Sequence, residues 1–241
     1  MIFSVNPFIL LWNLRCKWIL LITILPLSSY SQTLTGMSGL LNIPSADMYA
    51  DGTFIVGGNY LPQINQPVFN YNTGNYFFNL TFLPFLEVAY KLTLIQTSEN
   101  MNQDRSASFK AQLVKEKSFF PAVTIGVHDF HTTSVGNGNQ FFEANYLVAT
   151  KHISFRKSAD ISLTIGYGTD IIMKKSRFIG LFGGFSFSPS YSKQLKIIGE
   201  YDCQGFNLGG SLLILKHLNL LLFAQHLSYL AGGLSYRVYL K

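Results

Sequence analysis

The sequence predicts an all-β protein, an antiparallel transmembrane β-barrel of about 12 strands with a short N-terminal plug or lead-in segment. Three observations predict it. First, the 241 residues are 48% hydrophobic and 15% aromatic but only 12% charged, which is too apolar for an average soluble domain. Second, beyond the first thirty residues no apolar run approaches the ~20 residues that a spanning helix needs. Third, several segments of about eight to ten residues alternate apolar and polar side chains, the length at which a tilted strand crosses a bilayer. A sheet in lipid must satisfy all its backbone hydrogen bonds, and only closure into a barrel does so.

Residues 1–31 read as a signal peptide. Arg15 and Lys17 precede an apolar core from Trp18 to Leu27, Pro26 and Ser28 end it, and Ser29 and Ser31 supply the small residues of a cleavage site placed after Ser31. Cleavage there takes two of the 18 basic residues and none of the 12 acidic ones, so the net charge falls from +6 to +4. The remaining lysines and arginines are scattered along the strands without a basic stripe, which argues against a nucleic-acid partner. Cys203 is then the sole cysteine, with no partner for a disulfide and no Cys/His cluster for zinc, and reads as a small apolar residue on a strand.

Residues 32–51 precede the first strand and are expected to plug the lumen or to cover the barrel's base. Pro44 to Met48 reads as a single helical turn with proline at its start. Residues 52–241 form the barrel. Ala107, Phe109, Ala111 and Leu113 oppose Ser108, Lys110 and Gln112, and Leu86, Val88, Tyr90, Leu92 and Leu94 oppose Glu87, Ala89, Lys91 and Thr93. Phe142, Ala144, Tyr146 and Val148 oppose Glu143 and Asn145, and Ile161, Leu163, Ile165 and Tyr167 oppose Ser162, Thr164, Gly166 and Gly168. Leu195, Ile197 and Tyr201 oppose Lys196, Glu200 and Asp202, and in the last segment Leu234, Tyr236, Val238 and Leu240 oppose Ser235, Arg237 and Tyr239. In a membrane barrel the apolar set faces lipid, which makes Glu87, Lys91, Lys110, Glu143, Lys196, Glu200, Asp202 and Arg237 the lumen-facing candidates. In a soluble sandwich the same pattern would point inward.

Aromatics near segment ends favour the membrane. Phe119, Phe120, Phe130, Phe141, Phe142, Phe178 and Tyr239 suit the girdles at the two interfaces. Leu83-Pro84, Ser118, Gln204-Gly205 and Lys216-His217 read as tight turns at the periplasmic end, and residues 62–73, 96–104 and 131–139 as long outer loops.

With these residues in view the chain resembles a known family. The stretch Gly39 to Met48 (GLLNIPSADM) followed by Asp51 and Gly52 resembles the opening motif of YjbH-type exopolysaccharide biosynthesis proteins. Asp104 to Lys110 (DRSASFK), Pro121 to Phe130, Glu143 to Lys151, Phe182 to Gly184 and Glu200 to Asp202 follow in that family's order. The resemblance runs from about Gly36 to Gly210 and assigns Gly39, Pro44, Ala46, Asp51, Gly52, Asp104, Arg105 and Asp129 to family motifs. It marks this chain as a short, single-barrel member, with Asp47 where the family usually carries a basic residue. It implies a barrel in the outer membrane of a Gram-negative bacterium, associated with exopolysaccharide production or export as a conduit or docking component. The implied partners are outer-membrane lipid, polysaccharide and periplasmic export proteins.

Two other function classes are weaker. About twelve strands enclose a narrow interior that side chains can largely fill, which leaves a narrow general or selective pore, or a purely structural barrel, as the alternative, with selective or no conduction expected. A lipid hydrolase needs a nucleophile, a histidine and an orienting group on one rim. Here His128 and Asp129 are neighbours and should point to opposite sides of a strand, and neither G-x-S-x-G nor H-E-x-x-H occurs. No enzyme, cofactor or metal is expected.

Overall fold

The computed structural model describes residues 31–62, 73–96, 101–132, 142–155, 159–172 and 176–240. The expected signal peptide, apart from Ser31, lies outside them. Twelve strands form one closed barrel: β1 (Thr53–Leu61), β2 (Thr73–Leu83), β3 (Leu86–Gln96), β4 (Met101–Val114), β5 (Ala122–Thr132), β6 (Ala144–Phe155), β7 (Ala159–Thr169), β8 (Gly180–Pro189), β9 (Leu195–Tyr201), β10 (Phe206–Ile214), β11 (Leu218–Gln225) and β12 (Tyr229–Tyr239). Each strand pairs antiparallel with its sequence neighbours, and β1 closes on β12 from Thr53 opposite Tyr239 to Tyr60 opposite Gly232. Closure leaves no free sheet edge, so the ladder satisfies the wall's backbone.

The wall is apolar on its outside. Tyr76 and Phe78 on β2, Ile125 on β5, Leu163 and Ile165 on β7 and Leu222 on β11 are exposed, while their polar neighbours Asn75, Asn79, Thr124, Ser162 and Thr164 are buried. A soluble sandwich would show the reverse. Among the described residues no helix is long and apolar enough to cross a membrane, so the strands alone present this apolar surface.

The alternation of β6 has the opposite phase to the one its sequence suggests. Phe142, Ala144, Tyr146 and Val148 are buried inside the barrel, and Leu147 is exposed. Both faces of β6 are apolar, so periodicity shows the strand but not which face turns inward. The inner face meets Leu34, Leu40, Leu41 and Ile43 of the N-terminal segment in one apolar cluster. Two girdle candidates are core residues instead: Phe142 and Phe178 are buried, whereas Phe119, Phe120, Phe130 and Tyr239 are exposed. Phe141 lies outside the described residues.

The two ends of the barrel differ. Connections 84–85, 115–121, 190–194 and 215–217 lie at the end where β1 begins and β12 finishes, and the longest intervals between strands, β1 to β2, β5 to β6 and β7 to β8, start from the other. Gln204-Gly205 is short but belongs to the long-loop end, because it follows an upward strand. Cys203 sits in that same turn with φ 68°, not on a strand.

Candidate functional site

The lumen is filled by the chain's own N-terminal segment. Every residue from Ser31 to Ala46 is buried. No helical turn forms at Pro44. The segment instead folds back on itself through β-bridges between Gln32 and Ser38 and between Gly39 and Pro44, with Leu34 N–H donating to Leu41 O at 3.1 Å and Leu40 N–H to Ile43 O at 3.0 Å. Ser31 belongs to this fold, since its hydroxyl donates to Leu40 O at 3.0 Å.

Gly39 makes the tight return possible. A Cβ there would stand 2.4 Å from Ile43 O and 3.0 Å from Pro44 Cα, both backbone atoms that cannot move aside. Gly39→Ala is therefore expected to lower stability by about 1–3 kcal/mol, read as a lower urea midpoint for loss of the heat-modifiable barrel. An unchanged midpoint would mean that the plug's fold does not contribute to barrel stability.

Two barrel carboxylates hold the plug by its main chain. Glu87 on β3 accepts from Ser38 N–H at 2.7 Å and Ser38 Oγ at 2.5 Å. It also takes a bond from Asn79 Nδ2 at 2.6 Å and pairs with Lys110 Nζ at 3.3 Å. Glu200 on β9 accepts from Leu41 N–H at 2.9 Å and Asn42 N–H at 2.7 Å, and from Asn207 Nδ2 at 2.9 Å. Lys110 serves the plug's acceptors, donating to Ser38 O at 3.0 Å, Ser45 O at 3.1 Å and Asp47 O at 2.8 Å, and also to Ser38 Oγ. Asparagine amides of the wall complete the cradle: Asn59 and Asn75 both donate to Leu34 O at 2.8 Å, and Asn79 to Gly36 O at 3.0 Å. Buried backbone groups need such partners.

A second network lies nearer the long-loop end. Lys91 pairs with Asp129 at 2.9 Å, and Asp129 also accepts from Ser106 Oγ at 2.8 Å and Phe142 N–H at 3.1 Å. Lys91 Nζ and the Arg177 guanidinium stand over the Phe142 ring at 3.9 and 5.0 Å. Asp202, in the turn after β9, accepts from Asn42 Nδ2 at 2.9 Å and Asn207 Nδ2 at 3.0 Å. Burial alone would raise the Asp202 carboxyl, but the Arg177 charge and these hydrogen bonds outweigh it and hold the group below the usual carboxylate range.

His128 and Asp129 both point inward, contrary to the alternation of a regular strand. A register shift in the β4–β5 ladder between Ala107 and Phe109 and φ 52° at Asp129 show a bulge that turns both side chains to the lumen. They do not hydrogen-bond each other. The His128 ring packs 5.0 Å from Tyr146 and 6.5 Å from Phe178, neither of its nitrogens has a hydrogen-bond partner, and Asp129 is committed to Lys91.

The sequence-derived lumen set divides plainly. Glu87, Lys91, Lys110, Lys196, Glu200, Asp202 and Arg237 are all buried inside, and Arg237 lies 5.1 Å over the Tyr49 ring of the plug's end. Glu143 is also buried, but it precedes β6 and shares the parity of exposed Leu147 rather than that of the inward residues. Of the motif residues, Gly39, Pro44 and Ala46 lie in the plug, where Ala46 N–H donates to Thr150 Oγ1 at 2.8 Å. Asp51 and Gly52 lead into β1; Gly52 N–H donates to Thr81 O and Gly52 O accepts from Leu240 N–H, both at 2.8 Å, which ties the chain to β2 and to the end of β12. Asp104 and Asp129 are buried, and Arg105 is exposed with Nη2 3.0 Å from Gln103 Oε1. Sequence reasoning missed the cradle amides. Their signal was the spacing of Asn75, Asn79 and Thr81 between Tyr76, Phe78, Leu80 and Phe82.

The fold and its filled lumen define a plugged single-chain β-barrel with an apolar outer wall. The chain belongs to the family described as exopolysaccharide biosynthesis protein YbjH, which matches residues 31–206. That match begins at the first residue of the plug and runs into the start of β10, so plug and cradle fall within it together. Comparison with curated proteins returns no match.

Proposed function

We propose that this protein is an outer-membrane component of exopolysaccharide production that acts as a closed docking barrel rather than as an open conduit, and that it is not an enzyme. One observation carries the reading: Glu87 and Glu200, on opposite parts of the wall, both spend their carboxylates on main-chain N–H groups of the plug. Charges of a transport path are expected to face water and cargo, whereas these are consumed by a structural element. The apolar outer wall supports the membrane location, and the family's description supports the link to exopolysaccharide. With the lumen occupied, the two rims are the surfaces left for polysaccharide or periplasmic export proteins.

The test has two parts. Wild-type protein purified from an outer-membrane fraction is expected to give no ohmic steps in planar bilayers, and a deletion strain is expected to lose extracellular polysaccharide. Large steps from the wild type would overturn the closed-barrel reading, and unchanged polysaccharide would overturn the role in its production.

A further inference from the structure

The connections at the two ends of the barrel differ in charge as well as in length. Among the described residues, the connections at the end where β1 begins hold four lysines, Lys115, Lys117, Lys193 and Lys216, against one acidic residue, Glu116; those at the opposite end hold one basic residue, Arg177, against Glu143, Asp170 and Asp202. Large apolar side chains stand exposed beside these lysines. Phe119 is 93% exposed and Phe120 67%, in a turn that also carries exposed Lys115 and Lys117. In the β8–β9 turn Tyr191 is 86% exposed beside Lys193, and in the β10–β11 turn exposed Leu215 adjoins Lys216. Lys193 is 3.3 Å from Asp160 in an exposed pair, which water screens strongly.

We propose that this end is a binding face for anionic phospholipid headgroups, the rings entering the leaflet and the lysines lying at phosphate level. The inference rests on the membrane reading above. Exposed Leu113 and Val114 carry the apolar wall of β4 up to the turn, so Phe119 and Phe120 extend the lipid-facing band rather than forming a separate patch. An aqueous partner would leave that continuity unexplained. Aromatic rings settle at the headgroup level, and clustered lysines are drawn to anionic leaflets within a Debye length.

The test uses protein from an outer-membrane fraction, reconstituted in phosphatidylcholine vesicles and in mixed vesicles with phosphatidylglycerol. Spin-labelled phosphatidylglycerol is expected to associate about twofold or more above spin-labelled phosphatidylcholine. High salt should abolish the preference, as should combined Lys115→Gln, Lys117→Gln, Lys193→Gln and Lys216→Gln. The fluorescence added by Phe119→Trp should be quenched more by brominated phosphatidylglycerol than by brominated phosphatidylcholine. A heat-modifiable barrel with no preference between the lipids would overturn this proposal and leave the membrane reading standing. No mobility shift in either vesicle would overturn both. Binding of an acidic polysaccharide such as alginate, lost in the lysine variant while the two lipids associate equally, would overturn it in favour of a glycan face.

Discussion

Deleting residues 32–47 is expected to turn a silent barrel into a conducting one. These residues fill the lumen: polar groups of the wall hold their main chain, and Leu34, Leu40, Leu41 and Ile43 pack in an apolar cluster against the inner face of β6. Once they are gone, Glu87, Lys91, Lys110, Asn59, Asn75, Asn79 and Glu200 face an interior with room for water. Twelve strands enclose more space than an eight-stranded barrel, which side chains alone fill, and less than the 16 or more strands of open porins, so conductance should be small but well above the wild type's. Water would replace the lost hydrogen bonds, so the charged wall should not prevent the barrel from forming. Gel mobility of boiled and unboiled samples establishes that the variant is folded before any current is recorded. Discrete steps from a heat-modifiable variant would show that the plug alone closes the path. Silence from the same folded variant would mean that the opposed charges of the wall collapse onto one another.

How much of this was legible in the sequence depended on whether one face of a strand is polar. β3, β4, β7 and β12 have one polar and one apolar face, and their inward residues were readable: Lys91, Lys110 and Arg237 lie inside as their spacing implies. β6 has two apolar faces, so its alternation carried no information on direction, and only the plug's leucines determine which face is covered. His128 and Asp129 were misread because a bulge alters side-chain parity without a sequence mark beyond an aspartate that tolerates positive φ. The plug was the hardest part to read. Its segment is too short and irregular for any period, and its hydrogen bonds come from β1, β2, β3, β4, β6 and β9, strands whose convergence on it exists only after the barrel closes.

Cutting the Glu87 anchor should cost more than cutting its cation. Both side chains are fully buried and 3.3 Å apart, and removing one partner of such a pair costs about 3–5 kcal/mol because the other charge is left uncompensated. The two ends of this pair are not equivalent. In Lys110→Met, Glu87 keeps Ser38 N–H, Ser38 Oγ and Asn79 Nδ2 as donors, so its charge stays well solvated and the loss should fall at or below the low end of that range. In Glu87→Leu those donors lose their acceptor, and Lys110 retains carbonyl and hydroxyl oxygens alone, so the loss should reach the upper end. The double variant Glu87→Leu with Lys110→Met removes both charges and should be more stable than Glu87→Leu alone. Urea midpoints of the heat-modifiable band, taken through the full cycle, give the coupling. Additive losses would mean that the pair is not a unit and that neutral hydrogen bonds hold this wall of the plug.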